Sequence, residues 1–306
     1  MTRFLSRRLL AGLLCCLLCS AAQAERALMV LSDFGHSYQQ VRDATRATSG
    51  QSIDVRTLDQ LTPADHRQRS IILAVGSRAC EQMLNRYQSD SRLVCSFLPS
   101  TTFQQLIQQL LPKQEHQGVS AIFIDQPLLR QIRLAHLIKP DANTLGAALS
   151  SASRSLRRPL ENSTRSVGLT LHLTYLSTHD NPAEKLIPVI QGSDLFLVIP
   201  DSRVFNRTTS KWLLHLALRH QVPVIGFSEN YTHAGAAASI HSSAVQIGQQ
   251  TGEWLTRLQA GEPLPPPSYP AYFDISINPV AMRTLKLSPV DLDSLKQALL
   301  HLEDTH

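Results

Sequence analysis

Polar side chains that could bind a small solute follow several apolar, strand-like segments of the sequence. Gly76 and Ser77 lie where one such segment meets a helical pattern, and the free N–H groups of a helix N-terminus favour a carboxylate or another anion. Asp201 ends the apolar segment LFLVIPD, and its carboxylate could accept a hydrogen bond from an amine. In the structural alternative, Ser77 or Asp201 only caps the following helix. The other candidate ligand-binding residues are Ser32, Asp33, Asn206, Ser228 and Tyr231.

The segment VPVIGFSENYTHAGA, residues 222–236, changes abruptly from β-branched residues to small and polar ones. Its first part predicts a buried strand. The polar residues that follow, Ser228 to Tyr231, combine hydrogen-bonding groups with a backbone that could act as a hinge. A solvated loop is the alternative interpretation. Aromatic residues near other strand ends either stack on a ligand or belong to the core. These aromatic residues are Phe34, Tyr38 and Phe97.

Signatures of catalysis, metal binding and cofactor binding are absent from the sequence. The segment GFSEN, residues 226–230, lacks the second glycine of a nucleophile elbow, and neither a GxGxxG motif nor a P-loop occurs. The chain holds 12 histidines but no HExxH or CxxC motif, and His215 and His220 are too far apart to share a helix face. We therefore expect a protein that is not an enzyme and that needs no metal or cofactor.

The first 24 residues, MTRFLSRRLLAGLLCCLLCSAAQA, are typical of a secretory signal peptide. Three arginines form its positive region, residues 9–18 its apolar core, and residues 22–24 a small-x-small cleavage site. The cysteines of this segment do not follow the Leu-small-small-Cys order of a lipidation signal. We expect export to the periplasm and cleavage after Ala24.

The composition is that of a globular protein, with 306 residues, 43% of them hydrophobic and 17% charged, and this length suffices for two domains. The formal net charge of +5 includes the three arginines of the signal peptide, so the exported chain is nearly neutral. No basic stripe interleaved with aromatic residues occurs, and we expect no nucleic-acid partner. Two cysteines remain after residue 24, Cys80 and Cys95. They form either a disulfide, which an oxidising compartment permits, or two small buried apolar side chains.

Apolar strand segments alternate with amphipathic helical segments along the chain. The predicted strands cover residues 27–33, 52–58, 70–76, 92–98, 119–125, 144–150, 169–176, 195–201 and 222–228. The predicted helices cover residues 77–88, 101–111, 127–138, 182–191, 208–221 and 243–262. Apolar strands between helices predict an α/β fold of two Rossmann-like lobes, each with a parallel sheet covered on both faces. Such sheets bind ligands beyond the carboxyl ends of their strands, where the candidate residues lie.

Five segments of the chain, taken in order, resemble a known family. They are GVSAIFIDQPLLRQIRLAHLIKP, LVIPDSRVFN, VPVIGFSENYTHAGAAA, AVQIGQQTGEWLTRLQAGEPLPPP and FDISINPVAMRTLKL. Together they resemble the ABC-transporter substrate-binding proteins of the tryptophan/tyrosine-binding type, which are type I periplasmic binding proteins. The resemblance covers nearly all of the chain after the signal peptide and is weakest over residues 37–70 and 150–180.

The resemblance implies two lobes, joined by three crossings of the chain, that close over a small polar or aromatic solute. The crossings would lie near residues 126–127, near residues 228–233, and in the proline-rich segment PLPPPSYP, residues 263–270. The first lobe would then comprise residues 25–126 plus about 232–262. The second would comprise residues 127–231 plus about 263–306.

The resemblance further implies a monomeric, periplasmic binding component of an ABC-type importer, with an ABC permease or another membrane receptor as its partner. A ligand-sensing module that presents its closed form to a receptor or kinase is the first alternative. An enzyme on the same scaffold is the second, because a fold alone does not determine function.

Export is tested by the N-terminus of the protein isolated from the periplasmic fraction. We expect N-terminal sequencing to begin at Glu25 or within a few residues of it, because the small-x-small site ends at Ala24. A chain that still begins at Met1, or one acylated at a cysteine, would contradict this prediction.

Overall fold

Two β-sheets, each covered by helices, organise residues 27–304, which the computed structural model describes except for residues 63, 64, 66–68, 178 and 202. The predicted signal peptide, residues 1–24, lies outside the described residues. The α/β fold with two lobes and mostly parallel sheets is therefore confirmed.

The first lobe contains a five-stranded sheet in the order β2-β1-β3-β4-β5, in which every pair of neighbours is parallel. Three of its strands are buried along their whole length, which explains their continuous apolar sequences. The strands are β1 (Ala27–Leu31), β2 (Ile53–Thr57), β3 (Ile71–Val75), β4 (Arg92–Leu98) and β5 (Val119–Phe123). The helices that follow β1, β3 and β4 are α1 (His36–Ser49), α2 (Ser77–Leu84) and α3 (Ser100–Leu110).

The second lobe contains a six-stranded sheet in the order β11-β10-β9-β8-β6-β7, parallel except for the edge pair β10–β11. The strands are β6 (Thr144–Leu149), β7 (Thr170–Tyr175), β8 (Leu195–Leu197), β9 (Val224–Gly226), β10 (Ala238–His241) and β11 (Asp274–Ile277). The helices of this lobe are α4 (Leu128–Ile138), α5 (Arg157–Ser166), α6 (Pro182–Gln191), α7 (Arg207–Arg219), α8 (Glu229–Ala234), α10 (Pro279–Thr284) and α11 (Leu292–Asp304).

The chain crosses between the lobes at three places, and one of them differs from the sequence prediction. The first crossing lies between β5 and α4 and the third in residues 260–273, both in or next to the expected segments. The second lies at Ser242 and Ser243, between β10 and α9 (Ala244–Gln259). Residues 228–233, where the prediction placed it, instead belong to α8 and its N-cap and stay in the second lobe. The boundary moves because β10 pairs with β9 and β11 in the second sheet.

Helix α9 returns the chain to the first lobe and packs against α1. A side chain at Gly248 would place its Cβ 2.5 Å from the Val41 carbonyl oxygen, so the two backbones approach too closely for any residue but glycine. The Thr45 hydroxyl donates to the Gly248 carbonyl at 3.0 Å across this contact. Residues 243–259 therefore belong with the first lobe, while the strand just before them belongs with the second.

Cys80 in α2 and Cys95 in β4 form a disulfide, with their Cα atoms 5.4 Å apart, and both side chains are completely buried. The bridge ties the helix that follows β3 to the neighbouring strand β4. Cys95 lies two residues before Phe97, so the disulfide anchors the strand end that reaches the cleft between the lobes.

The disulfide encloses a loop with a sequence separation of 15, and restricting the unfolded chain to this extent contributes about 3 kcal/mol to stability. We expect thiol titration of the unfolded, unreduced protein to find no free thiol. The double variant Cys80→Ala/Cys95→Ala should unfold at a lower urea concentration, with a free energy of unfolding reduced by about 3 kcal/mol. Two titratable thiols in the wild-type protein would contradict the bridge.

Candidate functional site

The carboxyl ends of both sheets face a cleft that contains two adjoining cavities of about 400 and 600 Å³. Pro99 from the first lobe and Pro200 and Phe227 from the second line both cavities. We call the smaller one the Asp201 cavity and the larger one the Asp125 cavity, after the aspartate that lines each. Both volumes lie in the range of small-molecule binding sites.

Asp201, at the end of the segment that contains β8, links that segment to the end of β6. Its Oδ2 accepts hydrogen bonds from the Ser150 amide at 3.2 Å, the Ser150 hydroxyl at 2.6 Å and the Ser153 hydroxyl at 2.5 Å. Its Oδ1 accepts one from the Arg203 amide at 3.0 Å. Burial by itself raises the pKa of Asp201, but these hydrogen bonds outweigh it and hold the pKa below its usual value. Asp201 is therefore an ionised, largely satisfied carboxylate, with one free lone pair on Oδ1.

Asp125 is a cleft carboxylate that the sequence interpretation assigned to a strand rather than to the site. It follows β5, and its two oxygens accept from the Ser100 amide at 2.7 Å and the Ser100 hydroxyl at 2.5 Å. Burial raises the pKa of Asp125 above its usual value, against the opposing effect of the Ser100 bonds. A positive group entering the cavity would offset that desolvation. Asp125 can therefore accept further hydrogen bonds, and a positively charged partner would stabilise its ionised form.

Phe97 presents its ring to the Asp125 cavity from an unusual backbone conformation. Its φ of +59° lies in the left-handed region, and the register between β4 and β5 shifts between Ser96 and Leu98. A bulky residue rarely adopts this conformation, and such exceptions cluster at functional sites. Tyr38 supports the ring from behind in an edge-to-face contact with centroids 5.6 Å apart. The irregularity of β4 thus directs an aromatic ring of the first lobe into the cleft.

Phe227 supplies the corresponding aromatic ring from the second lobe. It follows β9, and its ring lies 4.9 Å from that of Tyr231, whose hydroxyl forms a hydrogen bond of 2.7 Å with the Ser210 hydroxyl. Tyr231 therefore supports Phe227 and lines neither cavity itself. Glu229 and His241 belong to the polar lining of the Asp125 cavity on this side, together with Ser228, Asn230 and Ser242. Burial lowers the pKa of His241, against the opposing effect of Glu229 and Asp274.

Of the residues proposed from the sequence, Asp201 and Ser228 line the cleft. Asn206 instead caps α7, because its side chain accepts from the amides of Thr208 and Thr209 at 3.0 Å. Ser32 and Asp33 lie beside a separate cavity of about 440 Å³ in the first lobe, together with the exposed Phe34. The structure therefore brings together only part of the expected set.

Gly76 and Ser77 also lie outside both cleft cavities. The Gly76 amide donates to the Ser96 carbonyl at 2.7 Å, and the Ala79 amide donates to the Ser32 hydroxyl at 2.8 Å. These bonds occupy donors that an anion at this helix N-terminus would need. The φ of +91° at Gly76 and its close approach to Ser32 explain why a glycine occupies this position.

Two lobes with mostly parallel sheets and a cleft at their carboxyl ends define the type I periplasmic binding fold. The family model of the ABC transporter substrate binding protein matches residues 33–289, and the chain belongs to this family. A comparison with curated protein sequences finds no match. Among the described residues, no helix is long and apolar enough to span a membrane, and no group of three or more His, Cys, Asp or Glu side chains is arranged to hold a metal ion.

Solved structures with the same fold are distant in sequence. The ligand-free, open structure of CD0873, a substrate binding protein with adhesive properties from Clostridium difficile, is 15% identical with a TM-score of 0.69, covering 87% of this chain and 96% of that chain. The ABC domain from Streptococcus pneumonia in complex with L-Trp is 15% identical with a TM-score of 0.59, covering 89% and 98%. A conserved domain protein from Vibrio cholerae is 18% identical with a TM-score of 0.59, covering 90% and 98%.

The stability role of Asp201 can be separated from a ligand role by comparing it with Asp194, which lies at the other end of β8. Asp194 also accepts bonds from the segment of β6, namely from the amides of Asn143 and Thr144 and from the Thr144 hydroxyl, but lies outside the cleft. We expect Asp201→Asn and Asp194→Asn each to lower the free energy of unfolding by about 1.5–3 kcal/mol, the range for hydrogen bonds to a charged group. Only Asp201→Asn should weaken solute binding; equal affinity in both variants would make Asp201 purely structural.

The acid sensitivity of folding provides a second readout. Hydrogen bonds hold the pKa of both carboxyls below the usual value, Asp194 also against the effect of burial. The stability that these two carboxylates contribute is therefore present above their unfolded-state pKa of about 4 and is lost as the pH falls through the folded-state pKa. Chemical denaturation between pH 7 and pH 3 should show a shallower loss of stability in each Asn variant than in the wild type.

Proposed function

We propose that this chain is the periplasmic solute-binding component of an ABC-type importer and that its lobes close over a small molecule carrying a planar apolar group and an amine. The observation that carries the proposal is the composition of the cleft. Each lobe contributes an aromatic ring, Phe97 or Phe227, and a carboxylate, Asp125 or Asp201. Proteins of this family bind substrates outside the cytoplasm, which agrees with the expected signal peptide.

The charges of the cleft favour a positively charged solute. Asp125, Asp201 and Glu229 line the two cavities, whereas Arg203 is the guanidinium at the Asp201 cavity. The side chains of Arg203 and Glu229 are both exposed, and Arg203 bonds to the Ser151 hydroxyl at 3.1 Å, so the negative charge inside the cleft comes from the less exposed Asp125 and Asp201. A cleft with an excess of carboxylates raises the local concentration of cations. An amine would also form charge-assisted hydrogen bonds with the remaining lone pairs of Asp125 or Asp201.

The aromatic rings favour a planar group in the same solute. Rings of this kind bind flat ligands by offset stacking or edge contacts and bind cations through their faces. L-Trp, which is bound in the distant Streptococcus pneumonia structure, combines an amine with a planar ring. At 15% identity that structure supports the fold only, so the solute class is inferred from the lining residues of this chain.

Binding would favour closure because the solute contacts both lobes only when they approach each other. A ligand shifts such an equilibrium by the difference between its affinities for the two states. Rings and carboxylates divided between the lobes provide that difference, since an open cleft offers the solute only one set. The proposed transition is a hinge closure around the ligand.

Native mass spectrometry of protein purified from the periplasm would identify the solute directly. We also expect calorimetric titration with a panel of aromatic amines and their deaminated counterparts to show at least tenfold tighter binding of the amines. This factor corresponds to about 1.4 kcal/mol and is within reach of one charge-assisted hydrogen bond. Equal affinity for both series would overturn the amine assignment while leaving the aromatic one in place.

Substitutions in each lobe test closure against a control outside the cleft. Asp125→Asn and Phe227→Leu should each weaken binding of the identified solute about tenfold or more, because each removes a contact from one lobe. Asp33→Asn removes an exposed carboxylate at another strand end and should bind normally. Small-angle scattering should show the wild type contracting on solute addition. A wild-type protein that binds the solute without contracting would contradict lobe closure.

A further inference from the structure

The three crossings are joined to one another by hydrogen bonds on their second-lobe side. Gln126 of the first crossing is buried, and its side-chain amide donates to the Ser242 hydroxyl of the second crossing at 2.8 Å. That hydroxyl donates in turn to the Tyr272 carbonyl of the third crossing at 2.5 Å. One chain of side-chain contacts therefore runs through all three connections.

Arg130, in the first turn of α4, closes this chain into a ring. Its Nη1 donates to the Gln126 side-chain oxygen at 2.8 Å and to the Pro270 carbonyl of the third crossing at 3.1 Å. Its Nε and Nη2 bind the carboxylate of Glu303 in α11, and its guanidinium lies 4.3 Å from the centre of the Phe273 ring. Arg130 is 7% exposed and lines neither cleft cavity. Its buried charge is compensated by Glu303, so its other donors are free to organise the crossings.

In each crossing, the residue next to these second-lobe contacts on the first-lobe side is held by the first lobe. In the first crossing Asp125 is bound by Ser100, one residue before Gln126. In the second, Ser243 caps α9 by accepting from the Gln246 amide at 3.2 Å, one residue after Ser242. In the third, the Tyr269 ring packs 5.3 Å from that of Phe123, one residue before Pro270.

The third crossing carries further contacts with the first lobe. Three long side chains of α9 reach residues beyond Pro270: Gln250 accepts from the Ala271 amide, Glu253 from the Tyr272 hydroxyl, and Gln246 donates to Asp274. Long side chains can follow a rotation that fixed backbone contacts cannot. These contacts therefore tether the lobes without removing the junction between Tyr269 and Pro270.

We propose that Arg130 and Gln126 hold the three crossings together, so that the lobes rotate as one hinge about three junctions, each formed by two consecutive residues. The junctions are Asp125 with Gln126, Ser242 with Ser243, and Tyr269 with Pro270. Arg130 is then a positioning residue: it restricts which orientations the lobes sample without touching the solute. The inference rests on the proposed lobe closure for its purpose, but it concerns the solute-free protein and can be tested there.

Arg133 provides a matched control on the same helix. It is also a buried arginine, 8% exposed, and also contacts α11, by donating to the Leu302 carbonyl at 2.6 Å. Unlike Arg130, it bonds to none of the crossings. Arg130→Met and Arg133→Met therefore remove the same buried group from the same helix, but only the first opens the ring.

The test measures the distance between the lobes by double electron–electron resonance, with spin labels at Gln108→Cys in α3 and Lys211→Cys in α7. Both positions are exposed, and neither lines the cleft. In the solute-free protein we expect Arg130→Met to give a broader distance distribution than the wild type, and Arg133→Met to match the wild type. Equal distributions for the two methionine variants would overturn the proposal.

A second variant covers the case in which Arg130→Met does not fold. Gln126→Met keeps the ion pair of Arg130 with Glu303 and the bond to Pro270, but it separates the first crossing from the second. It too should broaden the distance distribution, and a wild-type distribution would overturn the proposal. Because no solute is present, this outcome is independent of whether the proposed solute class is correct.

Discussion

The cleft depends on one constraint, the direction of the strands in two parallel sheets. In each lobe the parallel strands end at the same edge, so the loops that follow β4 and β5 lie together, as do those that follow β6, β8 and β9. Helix α9 packs on α1 through Gly248 and therefore belongs to the first lobe. The chain enters that lobe before α9 and leaves it again after α9. The lobes are thereby joined by three connections of the chain.

The two aspartates at these edges are held by neighbouring protein groups before any solute arrives. Asp201 binds the turn after β6, and Asp125 binds the first turn of α3. Such bonds fix each carboxylate in position while leaving part of its accepting capacity free. The result is a preorganised site, in which a ligand does not have to meet the entropy of ordering the side chains that receive it.

Sequence reasoning predicted the sheets well because buried parallel strands are continuous apolar runs, such as IILAV in β3. It missed β10 and β11, whose four-residue sequences ASIH and DISI are short and partly polar, and so it misplaced the second crossing. The rule that ligands lie beyond strand ends proposed residues after several of the strands. Only the lobe arrangement selects among them: Ser32 and Gly76 bond to neighbouring strands and helices, whereas Asp201 and Ser228 reach the cleft. Asp125 and Arg130 were missed because a strand end and an amphipathic helix gave no sign of their partners, 25 and 173 residues away.

The left-handed backbone at Phe97 lowers stability but keeps an aromatic ring in the cleft. A glycine would adopt this conformation freely and relieve a strain of about 1–2 kcal/mol, but it would remove both the ring in the cleft and its contact with Tyr38. The protein thus retains a conformational cost that keeps a ring at that point. The backbone at Phe227 carries no such cost, so the ring of the second lobe can be exchanged without a change in backbone strain, and the two rings need not evolve at the same rate.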